Sequence, residues 1–166
     1  MPRTRPNLII TGTPGVGKSS HCELLAQITE LGLKHLSINR IVKERNCNDG
    51  YDDELKSHIV DEDKLLDEIE DEVKEGGCII DWHILLLYCV RTRPFCMTGW
   101  RNGRHKKLQE NLDAEIMQVI LEEAREAYDE EAIIELRSNT IEEIDSNVDR
   151  ISAWAKHWIQ NNPEGV

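Results

Sequence analysis

The sequence predicts an α/β fold in which a parallel sheet is flanked by helices, and three observations carry that expectation. Short apolar runs alternate with segments of helical periodicity along most of the chain, the pattern of successive strand–helix–strand units. A glycine-rich turn, GTPGVGKS at residues 12–19, stands directly between one such run and the first helical segment. The chain has 166 residues, enough for one domain that buries about two-thirds of its unfolded surface without a disulfide or metal staple.

Taken in order, Asn7 to Thr11 is an apolar run bounded by Pro6 and Gly12 and predicts the first strand. Ser19 to Leu31 predicts a helix with Cys22, Leu25, Ala26 and Ile28 inward, and Leu33 to Ile38 a second strand. Asn39 to Asn46 is a short basic amphipathic helix, and Cys47 to Lys56 reads as a polar loop carrying Gly50 and several acids. Asp61 can cap a helix whose Leu65, Leu66, Ile69 and Val73 share one face, with Gly76 and Gly77 ending it. Lys106 to Tyr128 predicts a long helix with Leu108, Leu112, Ile116, Val119, Ile120 and Ala124 on one stripe. Ala132 to Arg137 predicts the last strand. Thr140 and Glu143 form a capping box, opening a helix that packs Ile144, Val148, Ile151, Trp154 and Trp158 before Pro163.

One stretch resists this scheme. From Cys78 to Val90 nearly every residue is apolar, yet Asp81 and His83 lie inside the run and no turn follows them. A single strand over residues 78–90 would span about 43 Å at roughly 3.3 Å per residue, twice the ordinary length of about 20 Å. Two parallel strands of one sheet need a crossover of about a dozen residues, and none stands between His83 and Ile84. The expectation is two strands, DWH and ILLLYCV, with residues lacking between them. From Trp82 to Gln109 there is also no acid, while Arg91, Arg93, Arg101, Arg104, Lys106 and Lys107 fall there, the composition of a lid that closes over phosphate.

The charge narrows the partners. Thirty-two acidic residues against 20 basic ones give a formal net charge of −12, which repels phosphate at a distance. General nucleic-acid binding and contact with an anionic membrane are therefore not expected, and a basic protein partner is. Five scattered cysteines without a C-x-x-C pair fit a reducing compartment. No apolar run reaches about 18 residues and no signal peptide opens the chain, so an intracellular protein without membrane contact is expected.

The turn at residues 12–19 matches G-x-x-x-x-G-K-[ST] in full. Its glycines let successive amides converge on phosphate, helped by the helix N-terminus. Lys18 would reach the β- and γ-phosphates of ATP and the Ser19 hydroxyl would hold Mg2+. The absence of N-K-x-D lowers a GTPase reading. The dozen residues between the turn and the second strand suit a small nucleoside-monophosphate-kinase-like fold.

The segments RPNLIITGTPGVGKSS, NDGYDDEL, IVDEDKLLDEIEDEVKEGGCIIDWH and KKLQENLDAEIMQVILEEAREAY together resemble the adenylate kinase isoenzyme six family, the coilin-interacting nuclear ATPases, whose fungal member is a small-ribosomal-subunit maturation factor. The resemblance covers roughly residues 5–83 and 106–160. It implies one P-loop kinase domain over residues 1–166 with a parallel five-stranded sheet, a monophosphate-binding segment near 35–58 and a lid near 98–108. It implies phosphotransfer from Mg2+-bound ATP to AMP or other nucleoside monophosphates, a slower ATPase activity, and a basic small-subunit ribosomal protein as partner. It places the protein in the nucleus, with a cytoplasmic pool allowed; a monomer is expected. An ATP-driven assembly switch, and a P-loop kinase for another small acceptor, stay open beside it.

By the same resemblance Thr13, Gly15, Val16, Gly17, Lys18, Ser19 and Ser20 bind ATP. Asp81 orients Mg2+-bound water, and His83 positions attacking water or touches phosphate. Arg101 is the lid arginine. Arg40, Lys43 and Arg45 would receive the acceptor phosphate, with Lys43 where the family has arginine. For each the blander alternative stands: Asp81 and His83 as partnered core groups, and the three cations as the wet face of a helix.

Overall fold

The computed structural model describes residues 2–13, 15–52, 57–82, 95–100 and 107–166. Strand β1 (Leu8–Gly12) leads through the glycine turn into helix α1 (Lys18–Gln27), then β2 (Lys34–Ser37) and α2 (Ile38–Glu44). A hairpin of β3 (Asn48–Asp52) and β4 (Ser57–Val60) precedes α3 (Glu62–Glu75) and β5 (Cys78–Asp81). Strand β6 (Phe95–Trp100), α4 (Lys107–Ala127), β7 (Ile133–Arg137) and α5 (Ile141–Asn161) follow. Five strands form one parallel sheet in the order β2-β5-β1-β6-β7. The expected fold class is the observed one.

Parallel strands are covered on both faces, so β1 and β5 are buried along their whole length. Leu8, Ile10 and Ile79 pack beneath α1 and α5 with Cys22, Leu25, Val148, Ile151 and Ala155. Ile9, Cys78 and Ile80 face the other way, against Ile41, Leu65, Ile69, Val73, Ile120 and Ala124. This alternation decides where Asp81 points. Two residues after Ile79 it lies on the α1 side of the sheet, while Trp82 turns to the opposite core.

Helix ends follow the sequence closely. The Asp61 carboxylate accepts from the Lys64 amide at 3.0 Å, and Gly76 leaves α3 at φ 83°. The Thr140 hydroxyl accepts from the Glu143 amide at 3.2 Å, and the Glu143 carboxylate accepts from the Asn139 amide at 2.6 Å. The capping box therefore closes one residue earlier than its usual form.

Four expectations change. Helix α1 stops at Gln27 rather than Leu31, because the chain turns through Gly32 (φ 57°) and buries Leu31 in the turn. Ile38 belongs to α2 instead of β2. In the polar loop expected at 47–56, residues 48–52 form β3, which pairs antiparallel with β4 with an irregularity at Asn48/Gly50, and 53–56 lie outside the described residues. Backbone pairing does not need alternating side chains, so composition did not reveal it. Finally, the strand after β5 is Phe95–Trp100, where the sequence suggested Ile84–Val90. Residues 82–94 separate β5 from β6, which meets the crossover length that the join at His83 denied. His83, the run 84–90 and any gap between them lie outside the described residues. Of the range 98–108 expected as lid, residues 98–100 belong to β6 and 107–108 to α4, and 101–106 lie outside the described residues.

Candidate functional site

The C-terminal ends of β1, β5 and β7 and the start of α1 meet at one edge of the sheet, the crevice where open α/β sheets bind ligands. Gly15 and Gly17 take φ of 82° and 84°, values that a side chain strains, and they curl the turn. A Cβ at Gly17 would also come 3.4 Å from Ile144 Cδ1. Helices α3 and α5 cap themselves with Asp61 and Thr140 and carry acids in their first turns. Helix α1 has neither a side-chain cap nor a first-turn acid, so its leading amides are left for an anion.

The Lys18 ammonium folds along this turn and donates to the Gly12 and Thr13 carbonyls, each at 3.0 Å. Burial lowers its pKa, partly offset by Asp81 and Cys22. One residue on, the Ser19 hydroxyl donates to Asp81 Oδ2 at 2.7 Å, across 62 positions of sequence. Burial alone would raise the Asp81 carboxyl; the His35 ring, the Ser19 hydroxyl and the Lys18 ammonium outweigh it and hold Asp81 below the usual carboxylate range. The predicted pair of Ser19 and Asp81 is thus assembled, and its oxygen ligands suit hydrated Mg2+. The positive-φ cradle and the uncapped helix start fit a nucleotide triphosphate. Thr13 and Val16 are buried within the turn, whereas Gly15 and Ser20 are exposed along it.

Four residues to which sequence reading gives no role lie here, three supporting the turn and one beside Asp81. His21 is buried, and its Nδ1 lies 2.8 Å from the Gly17 carbonyl. A carbonyl only accepts, so Nδ1 carries the proton and Nε2 faces Asn147 Nδ2 at 3.4 Å as acceptor. Asn147 also donates to the Arg137 carbonyl at 2.7 Å. Ser138 donates to the Val16 carbonyl at 2.8 Å. The turn is therefore tied to the β7–α5 junction. Ser138 could have been found, since it follows β7 as Asp81 ends β5; the His21–Asn147 contact has no local signal. The fourth is His35, whose Nε2 stands 3.6 Å from Asp81 Oδ2.

The acceptor candidates are not gathered at the crevice by any contact. Arg40, Lys43 and Arg45 are exposed, and Arg40 lies 4.0 Å from Glu44 within α2. Arg45 donates to the Glu68 carbonyl at 2.6 Å and to Glu72 at 2.8 Å, which pins the end of α2 to α3. Its side chain bridges α2 and α3, a role that sequence reading did not weigh beside the acceptor site and the solvated helix face. His83 and Arg101 lie outside the described residues.

Comparison with known proteins agrees with this geometry. A family described as AAA domain matches residues 8–118. The adenylate kinase isoenzyme 6 homolog of Candida albicans is 46% identical and is matched over 99% of this chain and 74% of its own. That match runs over 184 residues against 166 here, so the relative holds at least 18 (184 minus 166) without a counterpart in this chain. The homolog of Saccharomyces cerevisiae is 42% identical over 99% of this chain and 89% of its own, and that of Schizosaccharomyces pombe 41% over 96% and 97%. Among solved structures, a shikimate kinase from Acinetobacter baumannii superimposes with a TM-score of 0.57 at 14% identity, covering 90% of this chain and 92% of that one. The tunicamycin resistance protein of Deinococcus radiodurans gives 0.57 at 13%, covering 90% and 95%. These two distant likenesses concern the fold alone. With the phosphate turn, the Ser19–Asp81 pair and the sheet order in place, the near full-length identities settle the family: this chain belongs to the adenylate kinase isoenzyme 6 family of nucleotide kinases.

Proposed function

We propose that the protein moves the γ-phosphoryl group of ATP to AMP, tolerating other nucleoside monophosphates, and hydrolyses ATP more slowly. The observation that carries the reading is the Ser19–Asp81 hydrogen bond of 2.7 Å beneath the phosphate turn. Phosphoryl transfer asks the protein for little covalent chemistry, so positioning and charge neutralisation do the work. The turn's amides and Lys18 hold the β- and γ-phosphates, and Ser19 and Asp81 hold the hydrated ion. Bound Mg2+ supplies charge neutralisation on the phosphates. His21 and Ser138 fix the Gly17 and Val16 carbonyls of the turn, and Asn147 holds the His21 ring.

Product analysis with and without AMP tests this. ADP formed only when AMP is present supports the transferase; ADP with free phosphate in its absence supports hydrolysis. Lys18→Ala should lower both rates by roughly a hundredfold or more, the scale of a lost charge-stabilising donor. Unchanged rates in that variant would overturn the assignment.

A second reading is an ATP-hydrolysing switch that grips a basic small-subunit ribosomal protein in the nucleus during maturation of that subunit. Two observations favour it: Arg40 and Arg45 are engaged by acids rather than open to an acceptor phosphate, and the net charge of −12 complements a basic partner. Phosphate release that is insensitive to AMP but stimulated by such a partner would support it. A tagged chain that stays outside the nucleus would count against it.

A further inference from the structure

We infer that Cys22, His35 and Asp81 form a binding site for a thiophilic divalent cation of the Zn2+ class beneath the phosphate turn, and that its occupation excludes Mg2+-nucleotide. The three groups come from α1, β2 and β5, and their ligand atoms all lie within 4.8 Å of one another. Strand register explains the meeting. His35 pairs with Ile79 and Ser37 with Asp81, so His35 and Asp81 are diagonal neighbours on the sheet face that α1 covers with Cys22.

Two further facts point to a ligand. His35 Nε2 is buried, makes no hydrogen bond of ordinary length, and faces the Asp81 carboxylate 3.6 Å away. Around tetrahedral zinc, with bonds of about 2.0–2.3 Å, neighbouring ligand atoms stand roughly 3.4–3.6 Å apart. The His35–Asp81 edge is already at that length, and the thiol has to close by little more than about 1 Å. One sulfur, one imidazole nitrogen and one carboxylate oxygen make a donor set that zinc accepts and magnesium, which wants oxygen only, does not. Binding replaces the thiol proton, which leaves to solvent, by a sulfur–metal bond, with no change in oxidation state. The fourth position is open to water.

The site shares Asp81 with Ser19. A metal held by the carboxylate, the thiolate and the ring removes the acceptor that orients Ser19. The metal site stands without the proposed phosphotransfer; only the competition rests on it.

The test uses the purified full chain without nucleotide, Zn2+ by calorimetry and Cd2+ by its ultraviolet thiolate-to-metal charge-transfer band. The expected result is one equivalent of either ion, with the cadmium band lost in Cys22→Ser. His35→Gln should weaken binding by about tenfold or more, since even outer-shell losses reach that scale. Cys47→Ser and Cys78→Ser, at the other buried thiols among the described residues, should leave band and affinity as they were. Saturating Mg2+-ATP should prevent the band, and zinc should inhibit turnover in the parent but not in His35→Gln. Should Cys22→Ser fail to fold, His35→Gln decides, because His35 lies on an edge strand and is not fully buried. Parent-like binding in His35→Gln, or a band that survives Cys22→Ser, overturns the site. Zinc and ATP bound together overturns the exclusion. A chain that ignores zinc while Lys18→Ala abolishes ATP binding loses the metal site and keeps the nucleotide reading.

Discussion

Gly17 shows how much a single residue can decide. It holds φ 84°, its carbonyl accepts from His21, and a β-carbon there would stand 3.4 Å from Ile144 Cδ1, an ordinary contact. Gly17→Ala forces a residue with a β-carbon into the left-handed region, which costs about 1–2 kcal/mol. The expected outcome is weaker ATP binding by calorimetry, with a far-ultraviolet spectrum like the parent's. His21 and Ser138 act at the same scale: they fix the adjacent Gly17 and Val16 carbonyls and so set the curl of the turn. The glycines, Lys18 and Ser19 were legible because the motif is local. His35, beside Asp81, was not, because nothing in the order of residues links β2 to β5.

At the scale of elements, caps and clamps set the geometry. Thr140→Ala removes the hydroxyl that accepts from Glu143 and should lower stability by about 1 kcal/mol in denaturant unfolding. Glu72 clamps β2, α2 and α3 together through Lys34 and Arg45. The hydrogen bonds from those two side chains hold its carboxyl below the ordinary glutamate value. A depressed pKa means the clamp's contribution is complete above the unfolded value of about 4.3 and is lost as pH falls through the folded value. Glu72→Gln should therefore be less stable than the parent at neutral pH, by no more than about 1 kcal/mol for so open a cluster. The gap should close below about pH 4, and a gap that widens in acid would refute the clamp. Helix α3 and both caps were readable from residues alone. The β3–β4 hairpin was not, because its polar run lacks the alternation that marks a strand.

For the whole molecule, ligand and fold are linked. A nucleotide that binds only the folded chain stabilises it by about 2.7 kcal/mol at a hundred times its dissociation constant. For a chain of this size that should raise the melting temperature by roughly 5–10 °C. A thermal scan of the parent with Mg2+-ATP should show the rise, and Lys18→Ala should show little of it. The net charge of −12 makes the compact state repel itself, and Lys18 is the cation that the phosphate turn sets against that excess. No helix among the described residues is long and apolar enough to cross a membrane.

From the residues alone came the α/β class, the phosphate turn and the helix caps. Each is written in local spacing or in a motif whose context is one strand and one helix. Only the tertiary structure decided which run becomes the fourth strand in sequence of the parallel sheet, because apolar content cannot say which segment reaches β1 across a crossover. The structure also decided that Arg45 serves α3 and that Asp81 faces α1 while Trp82 faces the other core. Both follow from the pleat and from ion pairs between residues 23–27 positions apart in sequence. The meeting of Cys22, His35 and Asp81 belongs to the same class. Strand register made that cluster, and register is a property of the sheet rather than of any one segment.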